Sequence, residues 1–112
     1  MALNEYEFHD AADDWLDRCF EMLESQDAEA ALDIDLDNGV MNIVIDDENT
    51  FVISKHAPSS QLWLSSPLSG GLHFDAESEG ERWVLDDGRE LAVILSEELS
   101  QLTHTEFDLD AI

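Results

Sequence analysis

Apolar residues near the start of the chain recur at Phe8, Ala12, Trp15, Leu16, Cys19 and Leu23, the spacing of one helix face. Asn4 followed by Glu7 has the N-cap to N3 spacing of a capping box. Together these predict a helix of roughly five turns that ends near Glu24–Ser25. After a polar connection the period changes from helical to two, with Leu32-Asp33-Ile34-Asp35-Leu36-Asp37 alternating strictly. Asn38-Gly39 between two alternating runs marks a tight hairpin, because a type I′ turn needs φ > 0 twice. Further strands are predicted at Val40–Ile45, Thr50–Lys55, Gln61–Ser65, Leu72–Asp75 and Arg82–Leu85. Leu91, Ile94, Leu95, Leu99 and Leu102 restore the helical period in a last helix.

Helix, five or six short strands, helix is the order of an α+β sandwich: two helices on one face of a five- to six-stranded antiparallel sheet, the other face wet. At 112 residues the chain has room for one core, so residues 1–112 are expected to form a single domain. Thr103–Ile112 shows no period and is expected to be a partly ordered tail.

The charge narrows the function. Asp and Glu number 28 against four Lys and Arg, a formal net charge of −24. Phosphate-bearing partners need Lys and Arg to neutralise them, so neither nucleic acid nor an anionic membrane is expected. No apolar run reaches the ~20 residues of a membrane span, and the N-terminal residues carry no basic, hydrophobic signal pattern. The single cysteine, Cys19, excludes an internal disulfide and suits a reducing cytoplasm. Its place on the apolar stripe makes it a packed thiol.

Away from that stripe, Asp10, Asp14, Asp17, Glu21 and Glu24 follow i, i+4, i+7, i+11 and i+14, with Asp13 beside them. Like charges so spaced cost a helix ~0.2–0.5 kcal/mol per pair. Asp33, Asp35 and Asp37 repeat the pattern along the first strand. Carboxylate oxygens suit hard cations such as ferric iron, Mn²⁺, Ca²⁺ and Mg²⁺, and His9 adds a nitrogen donor. An open row of this kind would hold several weak, exchangeable ions. A solvated acidic face is the alternative, and from composition it stands ahead.

Trp63 is the other informative residue. In Gln61-Leu62-Trp63-Leu64-Ser65 the leucines belong under the helices, so Trp63 is predicted on the open sheet face with Gln61 and Ser65. It is either an exposed protein-binding anchor or a ring covered by its cross-strand neighbours. Trp15 and Trp83 are expected in the core. His56, His73 and His104 have no metal-ligand spacing and read as ordinary surface histidines. No pairing of nucleophile and base, and no phosphate loop, points to an enzyme.

The acidic first helix running into an acidic strand, the stretch Gln61-Leu62-Trp63-Leu64-Ser65-Ser66-Pro67, and Gly70-Gly71-Leu72-His73-Phe74-Asp75 resemble frataxin. With Glu7-Phe8-His9 and Ala11-Ala12-Asp13 at its start, the chain looks like a bacterial member. The resemblance implies an iron-binding accessory protein, with no catalytic turnover beyond weak ferroxidase-like oxidation, that regulates or supplies iron to iron–sulfur cluster assembly. It implies Fe²⁺ and Fe³⁺ bound weakly along His9, Asp10, Asp13, Asp14, Asp17, Glu21, Glu24 and Asp33, with other divalent or trivalent cations tolerated. It implies partner binding at Gln61 and Trp63, the partners being a cysteine desulfurase and its scaffold protein. The same resemblance implies a cytoplasmic bacterial monomer able to oligomerise with iron. Ser54 and His56 stand where eukaryotic members carry amides, and His73 where they carry a basic residue. Two rivals stay open: an acidic module that docks a basic partner with metal incidental, and general surface acidification of an unrelated α+β domain.

Overall fold

The computed structural model describes residues 4–27, 30–77 and 80–109. Helix α1 spans Glu5–Gln26 and opens on the capping box: the Asn4 side chain accepts from the Glu7 amide at 2.8 Å, and the Glu7 carboxylate accepts from the Asn4 amide at 3.1 Å. Six strands follow, β1 (Asp33–Asp37), β2 (Val40–Asp46), β3 (Asn49–His56), β4 (Gln61–Ser66), β5 (Gly70–Glu77) and β6 (Arg82–Val84), and then α2 (Leu91–Thr103). The strands form one antiparallel sheet in chain order. A short 3-10 turn at Ala57–Ser59 joins β3 to β4.

Asn38 and Gly39 both have positive φ (52° and 76°), the type I′ geometry that this dipeptide favours. The β1–β2 register follows from that turn. Leu36 faces Met41 and Ile34 faces Ile43 on the inner side, while Asp33, Asp35 and Asp37 point outward. The inner face is continued by Phe51, Ile53, Leu62, Leu64, Phe74 and Trp83. These pack with the α1 stripe and with Leu91, Ile94, Leu95 and Leu99 of α2 in one hydrophobic cluster. Trp15 and Trp83 are both core, at 3% and 1% exposure.

The expected tail needs correcting. Residues 104–109 fold back along α2 to the end of α1, and Phe107 and Leu109 are buried in the core cluster. Two α2 hydroxyls pin them: the Phe107 amide donates to Ser100 Oγ at 2.9 Å and the Leu109 amide to Ser96 Oγ at 2.8 Å. Gln26, the last residue of α1, exchanges two 2.7 Å hydrogen bonds with the Asp108 backbone. An extended segment places only alternate residues inward, and two apolar positions are too few to show a period. Residues 110–112 lie outside the described residues.

Candidate functional site: an acidic helix face and a stacked tryptophan

The residues that the sequence singles out fall on two surfaces, and the two-layer architecture sets them apart. On α1, steps of 100° per residue place Asp10, Asp13, Asp14, Asp17, Glu21 and Glu24 within an arc of about 100°, opposite the buried stripe. All six are exposed, and His9 at the margin is half-buried. Arg18 pairs with Asp14 at 3.1 Å. The Lys55 ammonium lies 2.9 Å from Asp13 Oδ1 and 3.1 Å from His9 Nδ1. Among the described residues no ion pair engages Asp17, Glu21 or Glu24. Glu24 sits in the last turn of α1, which holds no basic residue, so it faces the negative end of the helix dipole. Such placement costs ~0.3–1 kcal/mol at low salt. A bound cation would relieve both penalties.

The ridge does not close into a cage. Among the described residues no three His, Cys, Asp or Glu side chains converge on one cation position. Asp33 lies on the outward side of β1, while Ile34 and Leu36 turn inward beside α1, so it is not gathered into a cluster with the helix carboxylates. Cys19 is buried in the core, and burial pushes its thiol well above the ordinary range, so it takes no part.

The second surface lies on the open side of the sheet. Strand register aligns Asp37, Val40, Ser54, Trp63 and His73 in one row across β1 to β5, with His56, Gln61 and Asp75 in the row beside it. The Trp63 ring is half-buried between two imidazoles. His56 stacks on one side at 3.8 Å between centroids and 13° between planes, His73 on the other at 4.1 Å and 11°. Trp63 Nε1 donates to Gln61 Oε1 at 3.0 Å, and Gln61 Nε2 donates to Asp75 Oδ1 at 3.0 Å. Ser59 Oγ donates to the same Gln61 oxygen at 3.0 Å and lies 2.6 Å from His56 Nδ1. With the hydroxyl proton used on Gln61, that contact is made by an Nδ1–H of His56. The indole is thus held as a fixed plate on the sheet rather than a free side chain.

Sequence reasoning placed Trp63 and Gln61 on the open sheet face but read His56 and His73 as ordinary surface histidines rather than as covers of the ring, and it gave Lys55 no role. Both were recoverable from register. Once Ser66 pairs with Gly70, Trp63 must pair with His73. Lys55 shares the parity of Phe51 and Ile53, so it points toward the helix layer.

A six-stranded antiparallel meander backed by two helices, one of them with an acidic outer face, defines a protein of the α+β sandwich class. The model of the frataxin-like domain matches residues 1–105, and the chain belongs to that family. It is 35% identical to the iron-sulfur cluster assembly protein CyaY of Pseudomonas fluorescens over the whole of both chains. It is 37% identical to the mitochondrial frataxin homologue of Schizosaccharomyces pombe over 86% of this chain and 64% of that one. The chain thus spans the full bacterial relative but less than two thirds of the mitochondrial one. The solved frataxin of Psychromonas ingrahamii superposes with a TM-score of 0.84 over 96% of this chain and 98% of that one; at 24% identity this speaks to fold alone. Trimeric frataxin from Saccharomyces cerevisiae, solved in complex with ferrous iron, superposes with a TM-score of 0.72 at 36% identity, over 85% of this chain and 87% of that one. Among the described residues no helix is long and apolar enough to cross a membrane.

Proposed function

We propose that this protein is a non-enzymatic accessory factor of iron–sulfur cluster assembly. It carries weakly held iron on the helix ridge while it docks through the open sheet face. The observation that carries this reading is the separation of the two surfaces. The carboxylates of α1 lie on the helix layer and Trp63 on the far side of the sheet, so cation and partner need not compete for side chains. The name of the bacterial relative and the ferrous complex of the yeast protein support the same assignment.

In this reading Asp10, Asp14, Asp17, Glu21 and Glu24 offer exchangeable oxygen ligands and Asp33 adds charge at the sheet edge, while His9 and Asp13, in contact with Lys55, border the ridge rather than supply ligands. Partner recognition falls to Trp63 and Gln61, framed by His56 and His73. The expected partners are a cysteine desulfurase and its scaffold, met in the cytoplasm of a bacterium. The test is a reconstituted assembly reaction containing desulfurase, scaffold, sulfur donor and Fe²⁺, with and without this protein. A change in the rate of cluster formation, lost separately on neutralising Asp17, Glu21 and Glu24 and on Trp63→Ala, supports the reading. A rate that ignores the protein overturns it.

A further inference from the structure

Lys55 leaves the sheet in an unusual way. It follows Phe51 and Ile53 on the inner face of β3, but at the end of that strand the apolar core gives out and the side chain runs toward α1. Its stem passes over Gly39. A Cβ at that position would lie 2.3 Å from Lys55 Cε, and the Lys55 amide donates to the Gly39 carbonyl at 3.2 Å. The glycine therefore serves the hairpin twice, by its positive φ and by leaving a channel for the lysine stem. The side chain is 18% exposed, against 53% for its partner Asp13.

The ammonium has no acceptor capacity, so in the 3.1 Å contact His9 Nδ1 supplies the lone pair and Lys55 donates. A cation arriving at the head of the ridge meets a carboxylate already neutralised and an imidazole lone pair already used. Because the ammonium is tethered, its effective concentration at this spot is on the order of millimolar or higher. Weakly bound ions compete poorly against that. Further along α1, Asp17, Glu21 and Glu24 face no such competitor.

We propose that Lys55 is a resident counter-ion of the ridge, withholding His9 and Asp13 from external cations so that metal loads first onto Asp17–Glu24. This rests on the ridge reading above and adds to it which end accepts metal, and why.

The experiment is Mn²⁺ titration of the intact chain at about 0.15 M salt, where the Debye length of about 8 Å mutes long-range charge effects. Lys55→Met, Asp13→Asn, their combination, and Glu21→Gln are compared with the parent, melting curves confirming the fold. Lys55→Gln replaces Lys55→Met if the latter does not fold. Asp13→Asn alone is expected to change the Mn²⁺ affinity less than about twofold, and Lys55→Met to tighten it about fivefold. Adding Asp13→Asn to Lys55→Met should remove that gain. The inference is overturned if Asp13→Asn weakens the parent as much as Glu21→Gln does, or if the gain survives without Asp13. If Glu21→Gln has no effect while the Lys55 gain still depends on Asp13, the ridge reading falls and the counter-ion role of Lys55 stands.

Discussion

Replacing Trp63 by alanine would remove a plate stacked on both faces, leaving His56 and His73 facing each other across a gap. Each aromatic pair contributes ~0.5–1.5 kcal/mol beyond burial. The indole hydrogen bond to Gln61 adds ~0.5–1.5 kcal/mol, reduced because Gln61 keeps its Ser59 donor. The ring is only half-buried, so the substitution is expected to cost about 2–3 kcal/mol of folding stability. Trp83→Ala, in the core, is expected to cost about 3–5 kcal/mol. Against a total of ~5–15 kcal/mol, Trp63→Ala remains folded at neutral pH. Its binding to a desulfurase–scaffold complex is expected to fall by ~2 kcal/mol or more, the loss typical of a central aromatic anchor. Urea denaturation gives the first quantity and calorimetric titration of the complex the second. An unfolded Trp63→Ala protein would mean the ring is core rather than a surface plate. A folded variant that binds the complex like the parent would remove Trp63 from the partner surface.

The terminal segment should matter more than its position in the chain suggests. Phe107→Ala is expected to lose about 3–5 kcal/mol in urea denaturation, and a loss below 1 kcal/mol would contradict the packing described. Asp46 provides the pH prediction. Its carboxylate accepts hydrogen bonds from the Asn49 side chain and the Glu48 and Asn49 amides, which hold its pKa below the ordinary value of 3.8. A depressed folded value stabilises the domain above the unfolded pKa, and that contribution is lost as pH falls through the folded one. Asp46→Ala should therefore lower stability at pH 7 and flatten the decline below about pH 4, as followed by melting temperature. A difference between parent and variant that stays constant from pH 7 to pH 2 would refute this.

The elements were legible because local signals agreed with the tertiary ones. The capping box at Asn4, the stripe through Trp15 and Leu16, the Asn38-Gly39 turn and the alternation around Trp63 each pointed to the structure observed. The order of six strands followed from short turns between neighbours. What stayed hidden depended on contacts between distant residues. Lys55 reaches His9, 46 positions away, and Gln26 reaches Asp108, 82 positions away. Neither spacing leaves a periodic trace. The closing segment failed for the same reason, since Phe107 and Leu109 are anchored by Ser100 and Ser96, hydroxyls that look like ordinary helix surface until something packs on them. The acidic residues of α1 were easy to see as a face, but whether a face is a binding surface is decided by what competes for it.

Cations are expected to collect along α1 rather than around an acidic surface at large. The most direct measurement is an anaerobic Fe²⁺ titration of the labelled protein, read amide by amide by NMR. Broadening should begin along Asp17–Glu24, while the Trp63 indole and the amides of α2 stay sharp. Equal broadening at Asp46–Asp47, at Asp86–Asp87 and along α1 would instead show a diffuse counter-ion atmosphere, and the ridge would then be no more than a solvated face.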